Sequence, residues 1–383
     1  MPTASLLRPL WDRSAEWACR LAMIRDARRF LYLSTYYIEY DQYGVELLAA
    51  LLAAQRRGVT VNLLVDSFGQ QLGGVLMTRD LRAALRARLD ELRNAGAVVT
   101  FYRPRHYLQR RLGGGQHVKI QVSEAGEAIF GSSNITKTSF EGWNEYSVLL
   151  RGPVVRTLLE SYGAIGGSVN DDHLRGLDGV SADAPDDIAL EYWFCNPNTH
   201  QGRAGPLGWR GRNTVTDRII DMLDAARETV QLTSFYFKPG APLMTALITA
   251  ARRGVRVEVY HSHRHALPAT DLAWIAATVG YEQLLEAGIR VYENLHGEHS
   301  KIVLVDGAWV AFGSYNFEDA AHDRLAEAML ATRDDRVMSH TAAIFEELDR
   351  DPDNVLVHDR SLSSLPRGLK LRRALVGRFK RWM

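Results

Sequence analysis

"GEHSKIVLVDGAWVAFGSYN", residues 297–316, has an echo earlier in the chain: "GQHVKIQVSEAGEAIFGSSN", residues 115–134. His117 and His299 lie 182 residues apart, as do Lys119 and Lys301, and Asn134 and Asn316. Two further stretches repeat with them. "DARRFLYLSTYYI" (26–38) resembles "AARETVQLTSFYF" (225–237), and "RRGVTVNLLVD" (56–66) resembles "RRGVRVEVYHS" (252–262). The offset drifts from 199 to 196 to 182, as insertions in connecting loops produce. The chain therefore reads as an internal duplication.

Each half has the same order of elements. A helix precedes an apolar, β-branched strand. A second helix then runs into Arg-Arg-Gly-Val, whose glycine suits a helix C′ position. "VTVNLLV" and "VRVEVYH" follow as buried strands. Alternating strand and helix predicts an α/β fold with mixed, mostly parallel sheets flanked by helices. The turn-rich segment "GLDGVSADAPDD" marks a linker at 176–187. The expected units are 1–175, 188–350 and a tail at 351–383.

The repeated polar residues are spaced for one purpose. Residues i and i+2 of a strand share a face, so each His projects with its Lys. Ser132 and Asn134, like Ser314 and Asn316, repeat that spacing after a glycine. Eleven residues beyond each Asn stands a carboxylate, Glu145 or Glu327. Imidazole serves as nucleophile, base or, when charged, acid. Ammonium, amide and hydroxyl donors hold phosphate oxygens. A carboxylate fixes the imidazole tautomer. A two-step displacement at phosphorus needs two histidines, and each half supplies one. The repeat thus predicts two half-sites meeting at a pseudo-twofold axis, with the active site between the halves.

These residues resemble the phospholipase D superfamily pattern H-x-K-x4-D-x6-G-S-x-N, present twice. The second copy is complete at His299, Lys301, Asp306, Gly313, Ser314 and Asn316; the first has Glu124 in place of the aspartate. The segments "STYYI" and "RRGVTVNLLVD" look most like bacterial cardiolipin synthases of the short form without membrane spans. The resemblance implies a covalent phosphohistidine intermediate and neither metal nor other cofactor. It implies His117 as nucleophile and His299 as the acid that protonates the departing alcohol. Lys119, Lys301, Asn134 and Asn316 then bind phosphate, with Ser132 and Ser314 supporting. Glu145 and Glu327 orient the histidine of their own half, and Glu124 and Asp306 are structural.

Composition is that of a soluble globular chain, 46% apolar and 24% charged over 383 residues. The net charge is +1, yet residues 367–383 carry seven basic and no acidic side chains, so the rest of the chain is net acidic. An acidic body argues against nucleic acid as partner. The tail "GLKLRRALVGRFKRWM" sets Leu371, Leu375, Phe379 and Trp382 at helical spacing among cations, which predicts an interfacial helix on anionic lipid. The basic, aromatic loop "YRPRHYLQRRLGGGQH" (102–117) adjoins the first motif and reads as a lid over anionic head groups or a surface loop. His261, His263 and His265 in "HSHRH" lack an accompanying Cys or carboxylate pattern and read as polar lining or surface. The glycine-rich "GRAGPLGWRGR" reads as a loop. Two cysteines, Cys19 and Cys195, fit a reducing compartment. The opening residues lack the apolar core of a secretory signal, and no apolar run approaches membrane-spanning length. The expected setting is the cytoplasm, at the inner face of the cell membrane.

The leading functional expectation is phosphatidyl transfer between anionic phospholipids. Hydrolysis of phospholipid head groups and cleavage of nucleic-acid phosphodiesters are the alternatives within the same chemistry. A membrane-surface protein with a decayed site is the non-enzymatic one.

Overall fold

The computed structural model describes residues 1–180, 185, 187–198, 211–267, 270–358 and 365–379. Part of the predicted linker, most of the glycine-rich run at 202–212, residues 361–364 of the tail and its residues Lys380, Arg381 and Trp382 lie outside them.

Two sheets carry the fold. The first runs in the order Leu6–Leu10, Ser147–Arg151, Glu127–Gly131, Lys119–Ser123, Phe30–Thr35, Thr60–Asp66, Val98–Tyr102. The second repeats it as Glu191–Cys195, Leu325–Thr332, Trp309–Gly313, Ile302–Val305, Thr229–Ser234, Arg256–Ser262, Arg290–Asn294, and adds Asn354–Leu356 at its edge. The second half therefore extends past the expected limit at residue 350.

Within the repeated order, pairing is parallel among the three strands that helices separate in each half, 30–35 beside 60–66 beside 98–102, and 229–234 beside 256–262 beside 290–294. The other pairings within each sheet's repeated order are antiparallel, which corrects the expectation of mostly parallel sheets. Connection length sets the motif hairpins. Three residues, 124–126 or 306–308, join each motif strand to the next, and a short link permits only a hairpin.

Local signals place the helices. Asp41 accepts from the backbone N–H of Tyr43 and Gly44 and starts the helix Gln42–Arg56. That helix buries Leu47, Leu48, Leu51 and Leu52. Gly58 and Gly254 follow the two Arg-Arg pairs with φ of +94° and +95°, the left-handed geometry expected of C′ glycines.

The inner faces of the two sheets share one apolar core. Phe30, Ile120, Phe130 and Val148 from the first half join Ile302, Leu304, Phe312 and Leu330 from the second. Tyr146 packs edge-on against Phe312 at 5.3 Å between ring centroids. Separate outer cores lie beneath the helices of each half. The halves thus bury a joint hydrophobic surface, which holds the motif strands in register across the pseudo-twofold axis.

The helix Arg367–Phe379 lies on Leu272–Glu286. Arg372 pairs with Asp271 at 2.8 Å and Arg373 with Glu282 at 3.0 Å, while Val376 is buried. Leu371 and Leu375 face solvent. Among the described residues, no helix is long and apolar enough to cross a membrane.

Candidate active site

Both motif strands end where the halves meet. Gly115–Gln116 pairs with Leu325–Ala326 of the other sheet, and the His117 N–H donates to the Ala326 carbonyl at 2.8 Å. The other copy is tied differently: the Asn144 N–H donates to the Gly297 carbonyl and the His299 N–H to the Asn144 carbonyl, each at 2.8 Å. Each histidine is therefore held by backbone of the opposite half.

The carboxylates follow the same crossing. His117 Nδ1 lies 3.1 Å from Glu327 Oε1, and His299 Nδ1 lies 2.8 Å from Glu145 Oε2. The expectation that each glutamate serves its own half is corrected. Glu145 and Glu327 sit beside the strands that carry the opposite histidine, and their side chains reach across the seam. His117 Nδ1 also meets the Ser314 carbonyl at 3.0 Å. A carbonyl only accepts, so Nδ1 bears the proton and the neutral ring keeps its lone pair on Nε2. No protein group among the described residues hydrogen-bonds either Nε2. Those two nitrogens are left for substrate.

The serines are also corrected. Ser132 Oγ donates to Glu145 Oε2 at 2.5 Å and accepts from the Tyr146 N–H at 3.0 Å. Ser314 does the same toward Glu327 and Ala328. Each hydroxyl donates to a carboxylate, so these serines position Glu145 and Glu327 rather than stand free for phosphate. The preceding glycines have a steric cause. A Cβ on Gly131 would sit 2.4 Å from the Tyr146 carbonyl oxygen, and one on Gly313 would sit 2.2 Å from that of Ala328. Only glycine lets the strand bearing each glutamate approach closely enough.

Asn134 and Asn316 are buried, and Oδ1 of each has no hydrogen-bond partner among the described residues. A buried amide without a protein partner fits a ligand-binding role. Lys119 Nζ donates to the His117 carbonyl at 2.7 Å, and Lys301 Nζ to that of His299. Glu124 and Asp306 lie beyond the far ends of the motif strands, away from the chemistry. Asp306 accepts from the N–H of Arg227, Glu228 and Thr229 at 2.8–2.9 Å, and Glu124 from Arg28 and Phe30. Both pin a helix-to-strand junction, and the longer glutamate arm still reaches its two donors.

Electrostatics break the symmetry. Burial lowers the pKa of His299 to about 4, while the Glu145 charge opposes that fall. Burial, then the Lys119 and Lys301 charges, hold His117 well below the ordinary imidazole value. Burial raises Glu145, but His299, Lys301 and Ser132 outweigh it and leave the carboxyl at about 2. Glu327 is pushed up to about 8 by burial despite Lys119 and Ser314. Burial also lowers Lys301 to about 8 and takes Lys119 well below its usual range. The Glu145 charge favours a proton on His299, and the lysine charges disfavour one on His117. Replacing Glu145 with glutamine removes the influence that raises His299. The alkaline limb of the pH–rate profile is then expected to shift to lower pH and kcat to fall about 100-fold, as profiles of wild type and Glu145→Gln will show. A Glu327→Gln profile with the same displaced limb would assign the acid to His117 instead.

Aromatic walls that sequence reasoning missed enclose both rings. Tyr36 meets His117 edge-on at 4.8 Å, and Phe235 meets His299 at 4.6 Å. Their signal was present, since both occupy matching places in "STYYI" and "TSFYF". Trp143 stacks on His299 at 4.9 Å and has no counterpart on His117, so the repeat held no sign of it. Outside the site, His261 binds the Tyr281 hydroxyl at 2.5 Å and His263 packs on His265. Both cysteines are free thiols.

The family described as "Cardiolipin synthase, PLD-like domain" matches residues 21–162 and 219–349, one segment per half. Cardiolipin synthase B of Escherichia coli K12 is 29% identical over 329 residues, covering 81% of this chain and 72% of that protein. Cardiolipin synthase of Geobacillus kaustophilus is 26% identical over 321 residues, covering 78% and 57%. The crystal structure of phosphatidylserine synthase from Haemophilus influenzae superposes over 100% of this chain and 97% of its own with a TM-score of 0.74 at 16% identity, a likeness of fold. With two crossed histidine–carboxylate pairs on a duplicated α/β scaffold, the chain belongs to the phospholipase D superfamily, in the cardiolipin synthase PLD-like domain family.

Proposed function

We propose that the protein transfers a phosphatidyl group from one anionic phospholipid to a hydroxyl of another, forming cardiolipin with phosphatidylglycerol as donor. The observation that carries this reading is the pair of imidazoles, each Nδ1 engaged by the opposite half's glutamate and each Nε2 unengaged by protein. In the first step His117 Nε2 attacks phosphorus. The P–O bond to the head-group alcohol breaks, and His299 Nε2–H protonates the departing oxygen. His299 then takes the proton of the incoming hydroxyl, whose oxygen attacks phosphorus as the P–N bond breaks. Neutral His117 is restored. Lys119, Lys301, Asn134 and Asn316 supply the donors for the non-bridging oxygens. Both histidines are only 4% exposed, which supports an alcohol acceptor over water.

The chain works, on this reading, as a peripheral protein at the inner face of the cell membrane, and the tail helix with exposed Leu371 and Leu375 is one of its contacts. Purified protein incubated with labelled phosphatidylglycerol is expected to yield cardiolipin and free glycerol. Phosphatidic acid as the main product would assign hydrolysis. Cleavage of DNA or RNA with no lipid turnover would sink the lipid reading.

A further inference from the structure

A second feature flanks the site on the first half. The helix Ser67–Leu76 turns Gly69 and Gly73 toward Tyr36 and Tyr37, where a Cβ would sit 2.4 Å from the Tyr36 carbonyl oxygen and 2.5 Å from the Tyr37 ring. Tyr36 in turn touches His117. The opposite side of the helix presents Leu72 and Val75 to solvent, 45% and 69% exposed. A helix at a water interface normally carries polar residues there. The short helix Tyr107–Arg111 adds Tyr107 and Leu108, 62% and 44% exposed. It belongs to the same surface: Arg103 donates to Ser67 at 3.2 Å, and the Gly113 backbone lies against the Phe68 ring.

Cations are dense in this part of the chain, and Arg111 lies over the Tyr107 ring at 5.5 Å. Residues 67–115 contain nine arginines against three acidic side chains. Arg88 and Arg93 pair with Glu91 and Asp90. Arg82, Arg86, Arg103, Arg105, Arg110 and Arg111 have no carboxylate partner among the described residues. Three of them, Arg82, Arg86 and Arg103, line a groove of 430 Å³ with Ser67, Gln70 and Val75. Exposed apolar tips beside guanidiniums that no carboxylate neutralises match the layering of an anionic bilayer, hydrocarbon beneath phosphate. The rest of the chain is acidic on balance, so this local charge stands out against its background.

We propose that the surface formed by Ser67–Leu76 and the 103–111 segment is a docking face for anionic phospholipid bilayer. It inserts Leu72, Val75, Tyr107 and Leu108 while the arginines engage lipid phosphates. The helix that carries the face packs through Gly69 on Tyr36, whose ring touches His117, so the face lies on the flank of the site nearest that histidine. The inference rests on the proposed lipid substrate.

The test is flotation of the full chain with vesicles of phosphatidylglycerol and phosphatidylcholine, mixed or neutral only. Two variants are compared, Leu72→Ser/Val75→Ser/Tyr107→Ser/Leu108→Ser and Arg86→Glu/Arg105→Glu/Arg111→Glu, with Leu371→Ser/Leu375→Ser as the tail control. Each face variant is expected to lose at least tenfold in partition to anionic vesicles, and wild-type binding to fall with salt. Turnover of short-chain monomeric phosphatidylglycerol is expected to stay within twofold, with native circular dichroism. Face variants that float like wild type, equal binding to neutral vesicles, or loss confined to the tail variant overturn the docking face. If one face variant misfolds, the other and the lipid and salt arms still decide. Absence of turnover on monomeric and vesicle lipid alike overturns the lipid substrate instead, a separate outcome.

Discussion

Replacing His117 with alanine is expected to lower kcat/KM by at least about 10⁴-fold, because on the proposed mechanism the variant loses the attacking nitrogen. The fold should survive. His117 contributes one buried ring, and the strand Lys119–Ser123 keeps its ladder and apolar contacts. The informative contrast is with His299→Ala. Without its acid and base, that variant should still form a phosphorylated enzyme from a substrate whose leaving group needs no proton, and should release it slowly. Trapping with ³²P-labelled activated phosphodiester is expected to label His299→Ala and leave His117→Ala unlabelled. Label on His117→Ala alone would reverse the two roles, and label on neither would remove the covalent step.

The largest expected loss of stability lies beside the site. Lys238 and Glu318 form an ion pair of 2.6 Å with side chains 1% and 7% exposed. Their segments are also joined by the Lys238 N–H donating to the Phe317 carbonyl. Lys238→Met leaves the Glu318 charge in a poorly solvated place, and breaking such a pair typically costs about 3–5 kcal/mol. The urea midpoint should fall accordingly. Adding Glu318→Gln should recover most of the loss, since the orphaned charge is then gone. A single variant within about 1 kcal/mol of wild type would show that the charge is hydrated. The first half lacks the pair. There the Glu39 N–H makes the matching bond to Ile135, burial and Asp41 push the Glu39 carboxyl up to about 7, and its Oε1 has no partner among the described residues.

The duplication made much of this legible. Repeated spacing identified His117, Lys119, His299, Lys301, Glu145 and Glu327 without any knowledge of packing, since two copies of a rare pattern constrain each other. The crossing of glutamates to the opposite histidine was not legible. Two identical half-sites fit own-half and crossed pairing equally well, and only the docking of the sheets chooses. The serines were misread for a related reason. A hydroxyl two residues from an amide looks like a phosphate donor until Glu145 or Glu327 is seen to take its proton. Parallel pairing was overestimated at the three-residue links because apolar strands look alike in either direction. The arginines of the 103–111 loop were visible as charge, but two of the apolar tips beside them, Leu72 and Val75, came from a helix about 30 residues earlier that shows no unusual pattern.

The seam is stitched by main chain in both directions, at His117–Ala326 and at His299–Asn144. Neither lobe expressed alone holds a matched imidazole and carboxylate. Separate production of the two, cut between residues 180 and 187, should give inert fragments that regain turnover on mixing. Tandem linkage also freed each lobe to drift independently. Trp143 against one ring and Leu325 in the matching place show such a division of labour, unavailable to an assembly of identical chains.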